Sequence, residues 1–177
     1  MSRIFFLGTD KVTEVKPRAY DLDKKHLGHT KEDLLQWIVA NHPEVIPWEL
    51  ITDQPDPKVI TVRREAGVTP GSMDVLILDS AAIPTVVEAK LFENRREIRR
   101  MMLGQAIEYA ANLCIEWNAN RIRQEGQLWR KQHQEGNEKE EDFEKAAIKE
   151  LSPSDPAQFW DKVDRNLREG NIRIVYL

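Results

Sequence analysis

The chain has 177 residues, 41% of them hydrophobic, enough for one domain with a real core. Its 26 Lys and Arg against 30 Asp and Glu leave a net charge of −4, which excludes coating of nucleic acid through bulk charge and leaves that task to local clusters. No run approaches the ~20 apolar residues that span a bilayer, the N-terminus turns polar too early for a signal peptide, and the lone Cys114 has no internal disulfide partner; a cytoplasmic protein with no membrane partner is expected.

In chain order, the first twenty residues read as a strand pair. Arg3 to Gly8 is an apolar run, Gly8-Thr-Asp10 a turn signal, and Lys11 to Lys16 alternates charge with Val12 and Val15. After a polar loop over 21–29, a helix is expected from a Thr30 cap, with Leu34, Leu35, Ile38 and Val39 as its apolar stripe, ending at His42-Pro43 because proline disfavours helical geometry in the residue before it. Pro47 to Thr52 reads as a short strand, Asp53 to Pro57 as a loop, and Val59 to Glu65 as a strand by alternation. Thr69-Pro-Gly-Ser72 then turns the chain into a hairpin of Met73 to Asp79 and Pro84 to Lys90, joined by Ser80-Ala-Ala-Ile83.

A long helix follows Asn94, with Ile98, Met101, Met102, Gln105, Tyr109 and Leu113 recurring at spacings of three and four. The stretch at about 121–150 is rich in Gln, Glu, Lys and Gly and reads as a polar helical insertion. Asp155 with Pro156 and Gln158 signals a helix N-terminus, Phe159, Trp160, Val163 and Leu167 share its apolar face, Gly170 stops it, and Ile172 to Leu177 is a strand. The apolar ending is unusual for a domain terminus and suggests a fragment of a longer chain. The expected organisation is one domain, with an N-terminal β-pair at 1–20, a core at 30–120 and 155–177, and the insertion between.

The hairpin carries charges into its apolar runs. Strand alternation puts Glu88 and Lys90 on one face, and an antiparallel register around Ala81 brings Asp74 toward Glu88. Two carboxylates at roughly 4 to 5 Å suit a hard divalent cation that keeps positions open for water and a phosphate oxygen, and an adjacent ammonium completes a phosphodiesterase site. The same residues also read as an ion pair at a strand end, with Lys90 neutralising Glu88 or Asp74. Four arginines, Arg95, Arg96, Arg99 and Arg100, form two i, i+4 pairs that would lie along one side of a helix, either as a solvated face or as a phosphate-tracking row. His26 and His29 lack the further ligands of a zinc site, and Trp117, Trp129 and Trp160 read as packing residues ahead of base-stacking ones.

Asp74 followed after one strand by Glu88-Ala-Lys90 resembles the PD-(D/E)xK nuclease superfamily, although Met73 stands where the name has proline. Two further pieces resemble it: the helix beginning Glu32-Asp-Leu-Leu-Gln-Trp-Ile, and Gln105-Ala-Ile-Glu-Tyr109, similar to the glutamine-x-x-x-tyrosine helix of RecB-like nucleases. The span from Glu32 to Ala111 resembles a group of uncharacterised bacterial proteins of this superfamily.

The resemblance implies a restriction-endonuclease-like α/β fold, a mixed β-sheet flanked by helices, with the last strand parallel to the Glu88 strand and one further helix beyond it. It implies Mg²⁺, with Mn²⁺ as substitute, held by Asp74, Glu88 and the carbonyl of Ala89 and supported by Glu32. Lys90 would assist the water and Gln105 would orient the site, while the four arginines and Tyr109 would face DNA. A homodimer is compatible with this reading. The alternative from another class is an inactive nucleic-acid-binding or protein-interaction module that keeps the fold.

Overall fold

The computed structural model describes residues 4–7, 12–15, 31–54, 56–90, 97–133 and 142–177, with side chains at 32–54, 56–90, 103–132 and 142–177. Its elements are β1 (Ile4–Leu7), β2 (Val12–Val15), α1 (Lys31–Asn41), β3 (Val59–Val68), β4 (Gly71–Asp79), β5 (Pro84–Glu88), α2 (Glu97–Glu116), α3 (Ala119–His133), α4 (Phe143–Leu151), α5 (Phe159–Glu169) and β6 (Arg173–Tyr176). β1 and β2 pair antiparallel as a separate two-stranded sheet. The central sheet has the order β3-β4-β5-β6, antiparallel except for the parallel β5–β6 pair. A parallel return needs a crossover, which the four helices α2 to α5 supply.

Alternation along β4 explains why helices cover both faces of the sheet. Val75 and Ile77 pack with Val87 against Val39 and Ala40 of α1 and against Ile46 and Trp48. Leu76 and Leu78, with Val86, point the other way into a larger core with Leu113, Ile122, Leu151, Val163 and Leu167. Each fully buried side chain of this size contributes roughly 1.5–3 kcal/mol, so both layers hold the sheet.

Three expectations are corrected. The segment Pro47 to Thr52 is not a strand: Trp48–Leu50 is a 3₁₀ turn, because Trp48 is buried and its indole N–H donates to the Pro43 carbonyl at 2.7 Å, folding the chain back on itself. The described residues of the stretch at 121–150 are helical as expected but not a polar excursion, since Ile122, Phe143, Ala147 and Leu151 of α3 and α4 are core residues; charge on the outer faces masked the inward periodicity, and residues 134–141 lie outside the described residues. The last helix starts at Phe159, because the Asp155 carboxylate accepts from the Gln158 N–H at 3.2 Å within a preceding turn. Its expected stop holds: Gly170 has φ 68° and its N–H closes onto Asn166 and Leu167 carbonyls. The Thr30 cap lies outside the described residues. Among the described residues, no helix is long and apolar enough to cross a membrane.

Candidate active site

The open end of the β4–β5 pair gathers the acidic groups. Asp74 lies where β4 changes sides, since Met73 belongs to the helix-rich core and Val75 to the α1 core. On the neighbouring edge strand, the pairs Arg64↔Val75 and Ala66↔Met73 leave Glu65 opposite Asp74, and Glu65 takes φ 52°. β3 also shifts register between Thr61 and Arg63, and irregularities of this kind increase twist and re-aim side chains.

Glu88 ends β5 opposite Tyr176 of β6 and is only 1% exposed. The parallel ladder runs on past the strand: Leu177 N–H donates to the Glu88 carbonyl and Lys90 N–H to the Leu177 carbonyl, both at 3.0 Å. With those groups turned toward β6, backbone alternation aims Ala89 at β4, and its N–H donates to Asp74 Oδ2 at 2.8 Å. Asp74 and Glu88 are thereby tied together by backbone as well as by proximity.

Both carboxylate oxygens of Glu88 are buried without a hydrogen-bond partner. Burial, and then the neighbouring Asp74, push its pKa up to about 7, with Lys90 pulling the other way. Burial also raises Asp74, against the opposing effects of the Ala89 N–H and Lys90. Tyr176 is raised by burial and then by Glu88. Lys90 Nζ stands 3.8 Å from Glu32 Oε2 on the first turn of α1, with both side chains partly exposed at the mouth, 28% and 43% respectively. A buried carboxylate with no donor is unstable as an anion, so this corner is suited to gaining a proton or a cation.

Four of the expected residues, Asp74, Glu88, Lys90 and Glu32, therefore meet, and Ala89 joins them through its backbone. Gln105 and Tyr109 do not. The Gln105 amide donates to the Tyr109 hydroxyl at 2.6 Å, and Tyr109 is 6% exposed with its hydroxyl over Gly71, where an added Cβ would come within 2.7 Å. Tyr109 is thus a core residue that fastens α2 to the β3–β4 turn, with Gln105 as its hydrogen-bond partner. Arg95 and Arg96 lie outside the described residues; Arg99 and Arg100 fall in the first turn of α2, their side chains outside them.

Two groups escaped the sequence reading. Gln36, one turn after Glu32, accepts from Arg64 of β3 at 3.3 Å and lies near enough to Asp74 to oppose the rise of its pKa. Leu177, the partner of the Glu88 to Lys90 backbone, carries no chemical signal of its own. The i, i+4 spacing of Glu32 and Gln36 was the one available hint for the former.

Among the described residues no group of three or more His, Cys, Asp or Glu side chains is arranged to hold a metal ion. A cation here would rest on the Asp74 and Glu88 pair, and the orphaned Glu88 oxygens fit that role. No protein-family model, curated protein or solved structure matches this chain.

Proposed function

We propose that the chain is a restriction-endonuclease-like, Mg²⁺-dependent nuclease that hydrolyses DNA phosphodiester bonds at the Asp74, Glu88 and Lys90 corner. The observation that carries this reading is the buried Glu88 carboxylate, both oxygens unpartnered, beside the half-buried Asp74 and the Lys90 ammonium. The antiparallel β3-β4-β5 arrangement with a parallel β6 after the helical crossover supports it, since it is the strand order the resemblance leads one to expect.

Asp74, Glu88 and the Ala89 carbonyl are the groups that would hold Mg²⁺, with Mn²⁺ as substitute. Bound there, the ion would polarise the scissile phosphate and acidify a coordinated water. The protein's own residues do the remainder. The Ala89 N–H fixes one Asp74 oxygen at 2.8 Å. Lys90, partly exposed and beside Glu32, is placed to hold a water by its ammonium and to face negative charge that builds on the phosphate oxygens. Glu32 keeps that ammonium at the mouth, and the apolar residues around Glu88 keep bulk water from screening the pair.

The test is hydrolysis of single-stranded, duplex and branched DNA with and without Mg²⁺ or Mn²⁺. Wild-type protein should cleave at least one of these only with metal, while Asp74→Ala and Lys90→Ala should lose roughly 10²-fold or more and still melt cooperatively. Folded wild-type protein that cleaves none of them, with or without either metal, would mark the corner as an ion cluster retained for the fold or for binding.

A further inference from the structure

β6 lies beside β5 on the side away from β4, and its last residues reach the same open end of the sheet. Tyr176 stands directly opposite Glu88 in this parallel ladder. Val175 and Leu177 pack with Val87 on the α1 core, while Ile172 packs with Val86 on the other core, so alternation puts Tyr176 on the face that Glu88 takes. One step beyond the Val75↔Val87 pair, Asp74 falls opposite Glu88 from the other side. Asp74, Glu88 and Tyr176 thus form one row across three adjacent strands, at the ~4.8 Å spacing of a sheet.

Glu88 is buried whereas Tyr176 is partly exposed, so the tyrosine is the member of the pair that a ligand can reach. Both Glu88 oxygens lack a hydrogen-bond partner, so the phenol does not donate to its neighbour. Burial and then Glu88 hold it protonated, which keeps an O–H donor at neutral pH. A tyrosine side chain is longer than a glutamate one, and its hydroxyl can extend past a cation held by the carboxylates to a phosphate drawn to that cation. Lys90 flanks the acids beside Glu32, and Tyr176 flanks them from β6. A row of acids repels a phosphate, and a donor on each flank offsets that repulsion. Resting on the nuclease reading above, we propose that Tyr176 contacts the substrate at this corner, its phenolic O–H donating to a non-bridging oxygen of the phosphodiester.

The test is Tyr176→Phe in the full chain, which keeps the ring and removes only the hydroxyl. With Mn²⁺ and a DNA that the wild type cleaves, kcat/KM should fall roughly 10- to 100-fold, as loss of a hydrogen bond to a charged group does. Mn²⁺ affinity by titration calorimetry and the melting temperature should stay at wild-type values. Cleavage by Tyr176→Phe at the wild-type rate overturns the proposal, because the ring alone would then account for the residue. Mn²⁺ affinity that falls in step with the rate overturns it too, since the hydroxyl would then act through Glu88 and the cation. A Tyr176→Phe protein that does not fold has the same force, because an O–H kept for substrate is not needed by the fold. Wild-type protein that cleaves no DNA with either metal overturns the nuclease reading and this proposal with it; cleavage lost in Asp74→Ala but intact in Tyr176→Phe overturns this proposal alone.

Discussion

Glu88 is a carboxylate almost wholly removed from water. In the unfolded chain it ionises near its ordinary value of 4.5, whereas the folded protein keeps its proton to about 7. Between those values the folded state binds more protons than the unfolded one, so stability without metal falls as pH rises through the window and levels off above it. Asp74, also raised, adds a loss of the same sign. At 1.36 kcal/mol per pKa unit the Glu88 contribution is on the order of 3 kcal/mol. Glu88→Gln should therefore make the metal-free protein more stable than wild type at pH 8 and little different at pH 5, measured by urea denaturation in a chelator; equal or lower stability at pH 8 would contradict the burial argument. Glu65 offers a second check. Its φ of 52° is costly for a side chain with a Cβ, and Glu65 is exposed, so Glu65→Gly should gain about 1 kcal/mol. A loss on melting would mean that the left-handed backbone at Glu65, opposite Asp74, is not strained.

At the scale of elements, the approach of α4 to α3 depends on a missing side chain. A Cβ at Gly126 would come within 2.6 Å of the buried Phe143 ring. Alanine favours helix by about 1 kcal/mol over glycine, yet forcing apart a packed ring costs more, so Gly126→Ala should destabilise by roughly 1–3 kcal/mol net in urea denaturation. A stabilised variant would show that the helix pair has room. This contact also marks where the sequence was hard to read. The β4–β5 hairpin was legible because its alternation, its turn residues and the break at 80–83 all act over a few neighbours, and the structure has the connection at those residues. The site charges were legible for the same reason, lying within one hairpin and one helix start. The α3–α4 pair was not, because Ile122, Phe143 and Leu151 are spread among many Gln, Glu and Lys, and average composition hid an inward face only three or four residues in period. Trp48 was misread because its burial depends on α1 and β4, and local pattern favoured a strand. The Gln36–Arg64 contact joins residues 28 positions apart, and the Tyr109 hydroxyl settles over Gly71 through α2 packing on the sheet; neither follows from local spacing.

For the molecule as a whole, a net charge of −4 stands against a proposed function on a polyanion. Long-range attraction is weak at that charge, so under the proposed function a cation held by the acids would be the means by which a phosphate is brought in, and folding and metal binding would be linked. Mg²⁺ that binds only the folded state should add about 2.7 kcal/mol of stability at a hundredfold excess over its dissociation constant, read as a raised melting temperature in wild type but not in Asp74→Ala. An equal rise in both would locate the ion elsewhere. The most direct measurement is an anomalous difference map from crystals soaked in Mn²⁺. The expected result is a peak within coordination distance of both Asp74 and Glu88, beside the Ala89 carbonyl. Crystals in which Mn²⁺ occupies other sites, while Asp74 stays on the Ala89 N–H and Glu88 remains unliganded, would contradict it.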